Sequence, residues 1–192
     1  MNKRIDVVKL NKSPVMWDSL VRFLTLLGAT NLALFGGAPR DADLGITPND
    51  YDIRVWLDDD KAVVFLSRLR AKVQVQEVPS LGTGRIRYCF EYRGVKVDLS
   101  IRPIPDRYIG KYIPLNAVAK ERAGEADLGL SSVAIDPIGL AYGTDEYVLD
   151  RHFKHLTVYP SPDLARILAY TLRMSKKFPG YKVNRFLERE LT

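Results

Sequence analysis

The segment from Leu34 to Val55, LFGGAPRDADLGITPNDYDIRV, narrows the possible folds more than any other part of the chain. Asn31 to Phe35 reads as a short buried strand that stops at Gly36-Gly37. Paired glycines permit a sharp turn and let backbone approach a ligand closely. Pro39 suits the start of a short helix through Leu44, where its missing N–H costs nothing. Gly45 to Asn49 reads as a loop and Asp50 to Leu57 as a second strand. Strand side chains alternate, so Asp50 and Asp52 share one face, roughly 6–7 Å apart at Cα, while Tyr51 and Ile53 face the core.

Each part of this segment has a chemical use. Free N–H groups at a helix start favour an anion. Arg40 in the first turn adds a charge-assisted contact to phosphate, and Asp41 beside it orients the guanidinium. Two carboxylates on one strand face can hold two Mg²⁺ ions, which at about 3.5–4 Å apart serve the attacking and leaving oxygens of a phosphoryl displacement. A third carboxylate is expected from Asp98 in VKVDLSI, where Val95, Val97 and Leu99 lie on one side and Lys96, Asp98 and Ser100 on the other. An acid set mid-strand needs a partner such as a metal or an arginine. A solvated charge on an open sheet face is the alternative for Asp98.

The remaining pattern extends this to an α+β fold. Of the 192 residues 46% are apolar, enough for one sizeable domain with a small helical annex. Ser13-Pro14 suits a helix start, followed by apolar residues at helical spacing up to Gly28. Asp60 is placed to cap a helix through Arg70, and strands are expected over Lys72 to Val78, Gly84 to Tyr92 and Val95 to Ile101. Gly82-Thr83-Gly84 reads as a turn. Beyond Pro103 the pattern turns mainly helical, over Leu115 to Gly124, Ser161 to Phe178 and Asn184 onward. The expected division is a head over 1–110, with a mixed, largely antiparallel sheet flanked by helices, and a helical neck-like region over 111–192.

Composition limits the partners. A net charge of +6 fits an anionic partner such as RNA, DNA or free nucleotide. No apolar run reaches the ~18 residues of a membrane span, and MNKRIDVVKLNKS lacks an apolar signal core, so a cytoplasmic protein without a membrane partner is expected. The single cysteine, Cys89, excludes an internal disulfide and reads as a small buried residue. His152 and His155 lack the further ligands of a zinc site. Arg173, Lys176, Lys177, Lys182, Arg185 and Arg189, interleaved with Phe178, Tyr181 and Phe186, form either a phosphate-tracking surface or a solvated amphipathic end.

Taken with its flanks, the segment resembles the DNA polymerase beta-like nucleotidyltransferase superfamily, and within it the head of the bacterial-type CCA-adding enzyme and poly(A) polymerase. That family carries GGxVRDxLLG, a short loop and DxD; here the run is GGAPRDADLG, ITPN and DYD. Pro39 stands for the usual Val. Asp43 stands for the usual Leu, which suggests a more exposed face on the short helix. The family's RRDFTINALAY is matched by EADLGLSSVAI, in which only Asp127 of the charged triplet survives and Glu125 and Ala126 replace two arginines. The resemblance implies a ribose contact for Asp127. Its EDxxR motif is matched by Asp163 and Arg166, implying base recognition; an acid in the first helical turn, paired with an arginine one turn on, is the plain alternative. The resemblance further implies Gly36, Gly37, Arg40 and Asp41 at the triphosphate, Asp50, Asp52 and Asp98 at two Mg²⁺ ions, an NTP donor, and the 3′-hydroxyl of RNA or tRNA as acceptor. The family's body and tail domains, which grip tRNA, have no counterpart up to Thr192. That leaves open a protein or small-molecule hydroxyl as acceptor, or a non-catalytic nucleotide- or RNA-binding module.

Overall fold

The computed structural model describes residues 3–79, 85–160 and 163–184. Their centre is an eight-stranded sheet built from β1 (Ile5–Val8), β2 (Asn31–Phe35), β3 (Asp50–Trp56), β4 (Gln76–Pro79), β5 (Ile86–Tyr92), β6 (Val95–Arg102), β7 (Val133–Ile135) and β8 (Ala141–Thr144). The strand order is β1-β8-β7-β2-β3-β6-β5-β4. Every neighbouring pair is antiparallel except β3 and β6. The helices are α1 (Trp17–Leu27), α2 (Gly37–Asp43), α3 (Asp59–Arg70), α4 (Ala117–Gly124), α5 (Asp145–Phe153) and α6 (Leu164–Lys177). A separate parallel pair joins β9 (His155–Thr157) to β10 (Lys182–Asn184). The fold is α+β with a largely antiparallel sheet.

Alternation along the strands divides the sheet into two unlike faces. Leu32, Leu34, Ile53, Val55, Val97 and Leu99 point to one side, where α1 and α3 cover them with Leu20, Leu24, Phe65 and Leu69. Burying each such side chain contributes about 1.5–3 kcal/mol. On the other face Ala33, Ala134 and Tyr142 pack under α4 through Ala117, Val118 and Ala123. That cover spans the β8-β7-β2 half. Across β3, β6 and β5 the same face carries Asp50, Asp52, Arg54, Asp98, Ser100, Arg102, Arg87 and Cys89, by the pairing of Asp52 with Asp98 and of Asp98 with Cys89. A third apolar cluster seats α6 by Ile167, Met174 and Phe178 on Leu128, Leu130, Leu156 and Val158.

Several local expectations change. The first helix begins at Trp17 with Met16 as N-cap; Pro14 instead accepts Trp17 N–H in a turn. α2 begins at Gly37, two residues ahead of Pro39. Residues read as mainly helical after 110 supply β7 and β8, so the sheet continues past that point to Thr144. The expected turn at Gly82-Thr83-Gly84, and Arg185, Phe186 and Arg189 of the basic cluster, lie outside the described residues.

Asp43 corrects a second expectation. Its side chain is fully buried, not exposed. It accepts from Asn11 N–H at 2.6 Å, Tyr147 O–H at 2.5 Å and Arg151 Nη1 at 2.9 Å. Burial of a carboxylate is tolerated because a cation and two further donors satisfy it.

Candidate active site

The β2–α2–β3 unit sets the geometry. Gly36 adopts φ 74°, ψ −121°, a conformation costly for any residue with a Cβ. A Cβ built there would also lie 3.1 Å from Asp52 Oδ2. The glycine therefore serves both the turn and the approach of backbone to the carboxylate. Asp50 is exposed at the start of β3, whereas Asp52 is half-buried. The parallel ladder sets Asp98 directly opposite Asp52, and Arg87 of β5 holds Asp98 in an ion pair.

These acids destabilise one another's charged forms. Burial, and then the charges of Asp50 and Asp98, push the Asp52 carboxyl up to about 7, against the opposing pull of Arg122 and Arg87. Burial also raises Asp98, with Arg87 opposing. Burial, then Asp98, raises the Cys89 thiol, which keeps it protonated and unreactive at neutral pH. No hydrogen bond from a described residue supports the Asp52 carboxylate.

In front of Asp52 opens a cavity of about 720 Å³. Gly36, Gly37, Arg40, Asp41, Asp50, Asp52, Asp127 and Arg166 all line it. Asp127 and Arg166 lie far along the chain from the other six, and the fold brings them to one place. Asp98 lies instead in an adjoining groove of about 670 Å³ that shares Asp50 with the cavity. Asp163 lines neither; it is the N-cap of α6 and accepts Arg166 N–H at 2.9 Å. The Arg166 guanidinium turns to Asp127, at 2.6 Å.

Arg40 is only 4% exposed and largely engaged by the protein. Its Nε and Nη2 donate to Asp41 at 2.9 and 2.8 Å, and its Nη1 donates to Ser131 Oγ at 3.0 Å. Lys177 binds the far oxygen of Asp41 at 2.5 Å. Tyr170 O–H meets Ser131 Oγ at 2.8 Å, and Arg173 lies over the Tyr170 ring at 4.9 Å. Arg166, Tyr170, Arg173 and Lys177 thus form one wall, spaced four, three and four residues apart along α6. That spacing is visible in the sequence as a polar stripe beside the buried Ile167 and Met174. Arg122, which also lines the cavity and lies 4.0 Å over the Phe35 ring, gives no such signal.

The donor set suits a particular kind of metal. Carboxylate oxygens alone favour a hard cation such as Mg²⁺. Among the described residues, however, no three His, Cys, Asp or Glu side chains gather closely enough to hold an ion as they stand; Asp98 is turned to Arg87. The fit is therefore to Asp50 and Asp52, with Asp98 opposite Asp52 and bonded to Arg87 through Oδ2.

No family model matches the chain, and no curated protein sequence matches it. Solved structures do. A CCA-adding enzyme in an apo form superposes with a TM-score of 0.65 and 20% identity, over 91% of this chain and 40% of that one. A CCA-adding enzyme in complex with ATP gives 0.63 and 18%, over 96% and 43%. The Thermotoga maritima CCA-adding enzyme complexed with tRNA gives 0.61 and 18%, over 98% and 45%. The chain spans less than half the length of these proteins. None of its described helices is long and apolar enough to cross a membrane. At these identities the likeness is one of fold: the chain has the nucleotidyltransferase-like fold of the CCA-adding enzymes, over the part of them that it spans.

Proposed function

We propose that the protein is a Mg²⁺-dependent nucleotidyltransferase that moves a nucleoside monophosphate from an NTP to a 3′-hydroxyl of RNA and releases pyrophosphate. One observation carries this: Asp50, Asp52 and the Gly36 turn meet the cationic wall of α6 across a single cavity. The cavity's volume is of the order expected for a small-molecule site. Solved relatives of this fold in complexes with CTP, ATP and tRNA support the donor and acceptor classes.

In the reaction the acceptor oxygen bonds to the α-phosphorus, the bond from that phosphorus to the β-bridging oxygen breaks, and the hydroxyl proton passes to solvent. Asp50 and Asp52 would hold Mg²⁺, with Asp98 as third carboxylate, and the metal would supply charge neutralisation at the attacking and leaving oxygens. The chain's own residues bind and orient. Lys177, Arg173 and the turn at Gly36-Gly37 take the phosphates. Arg40, braced by Asp41 and Ser131, fixes that turn and adds its charge to the cavity. Asp127 and Arg166, now paired, exchange each other for the ribose and the base. Asp163 keeps Arg166 in place by capping α6. The gain comes from positioning and preorganised charge.

Incubation with each α-labelled NTP, MgCl₂ and total RNA tests the proposal. Label should appear in RNA with wild type and not with Asp52→Asn. Label in protein instead would move the acceptor to a protein hydroxyl, and binding of NTP without transfer to any acceptor would leave a binding module.

A further inference from the structure

Beyond Asp52 the uncovered half of the sheet face changes sign. Arg54 lies two residues along β3 on the same face as Asp52, roughly 6–7 Å away at Cα. It stands opposite Ser100 of β6, to whose Oγ its Nε donates at 2.8 Å. Arg102 follows two residues later on β6. Arg122 comes down from the last turn of α4. Arg122 and Arg54 both address the ring of Phe35, at 4.0 and 5.8 Å, and cation–π attraction of this kind preorganises guanidinium planes.

The cluster is poorly compensated by the protein. Among the described residues no carboxylate lies within ion-pair distance of Arg54 or Arg102, and only Arg122 has one, Glu125. The Nε atoms of Arg102 and Arg122 are buried without an acceptor. Burial, then Arg85 and Arg122, lower Arg102, with Glu125 opposing. Gathering three half-buried cations costs stability unless an anion joins them. A fold that keeps such a cost beside its reactive carboxylates points to a ligand.

We infer that Arg54, Arg102 and Arg122 form a phosphate site for the acceptor, holding the backbone phosphodiester that precedes the RNA 3′-hydroxyl. Arg54 and Arg102 lie on the same strand face as Asp50 and Asp52 and outside the cavity lining, while Arg122 lines the cavity whose α6 wall is assigned to the NTP. A 3′ end whose last phosphodiester rests on Arg54 brings its terminal hydroxyl to the carboxylates. This assignment rests on the RNA acceptor proposed above, and it is tested by binding, without turnover.

The full chain is titrated with a 5′-fluorescein single-stranded RNA bearing a free 3′-hydroxyl, and separately with ATP and CTP in MgCl₂. Wild type, Arg54→Gln, Arg102→Gln, Arg54→Lys and Asp52→Asn are compared. Losing a charged hydrogen bond to phosphate should weaken RNA binding about tenfold or more in each glutamine variant. The slope of log K against log salt should become shallower by about 0.7 per lost contact. NTP affinity should hold, Arg54→Lys should recover part of the RNA affinity, and the melting temperature of Arg54→Gln should equal or exceed that of wild type. Unchanged RNA binding overturns the inference. A fall in NTP binding with RNA binding intact assigns the cluster to the triphosphate and also overturns it. A lower melting temperature with both affinities reduced marks the arginines as structural and overturns it equally. Asp52→Asn separates the two levels: loss of transfer with RNA affinity retained is expected, and absence of transfer in wild type would defeat the proposed reaction while leaving the phosphate site to be judged on binding.

Discussion

Gly36 and Asp52 face each other so closely that a methyl group on the glycine would sit 3.1 Å from the carboxylate Oδ2. The turn that precedes α2 and the second acid of β3 are therefore one structural unit. Gly36→Ala should be doubly penalised, by the positive φ and by this contact. A loss of about 1–3 kcal/mol is expected, read as a lower urea midpoint, together with weaker ATP binding. An alanine variant of wild-type stability would show that the turn can relax away from Asp52.

The raised Asp52 carboxyl gives a pH signature. Its native value of about 7 lies above the ordinary 3.8, so between these the native state binds more protons than the unfolded chain. This group's contribution to stability therefore falls as pH rises through that window. The melting temperature of wild type, relative to Asp52→Asn, should decline from about pH 4 to about pH 7 and level off above. Added MgCl₂ should restore wild type at the upper end and leave Asp52→Asn unaffected, since a ligand stabilises only the state that binds it. A flat difference across the range would mean that the carboxylate is solvated.

Asp43 anchors α2 to α5 through Tyr147 and Arg151. Asp43→Ala leaves the buried Tyr147 hydroxyl without its acceptor and the partly buried Arg151 guanidinium without its counter-ion, the Lys9 carbonyl still accepting from Nη1. A destabilisation of about 3 kcal/mol or more is expected, measurable by equilibrium denaturation. A cost below about 1 kcal/mol would show that water replaces the carboxylate.

Arg166 and Asp163 should separate affinity from stability. The Arg166–Asp127 pair is largely exposed on the arginine side, so Arg166→Ala should change stability by less than about 1 kcal/mol while weakening NTP binding. Asp163→Ala removes the N-cap of α6 and should cost about 1 kcal/mol, with a smaller effect on affinity. Equal effects of both variants on NTP affinity would return Asp163 to direct contact with the nucleotide.

What the sequence reveals follows the range of the interactions involved. Gly36, Arg40, Asp50 and Asp52 lie within one short strand–turn–helix–strand run, so spacing alone places them together. Asp43 reads as exposed because Tyr147 and Arg151, which make its burial tolerable, come from a helix far along the chain. β7 and β8 have three and four residues, all buried, and so lack the alternation that marks a strand. Arg122 looks like any helical arginine until α4 is laid across the sheet. Asp98 leaves a metal or an arginine open as its partner, and the fold bonds it to Arg87 and sets it opposite Asp52.

The pairing of β1 with β8 has a kinetic consequence. Ile5 to Val8 close the sheet against Ala141 to Thr144, so the first described strand waits for a partner made most of a chain later. Contacts of such long sequence separation slow folding, since loop-closure entropy is lost before they form. Until that closure β8 keeps an unpaired edge, and a chain caught at this stage can add a strand from a neighbour in place of its own, which makes aggregation the characteristic hazard of its biogenesis.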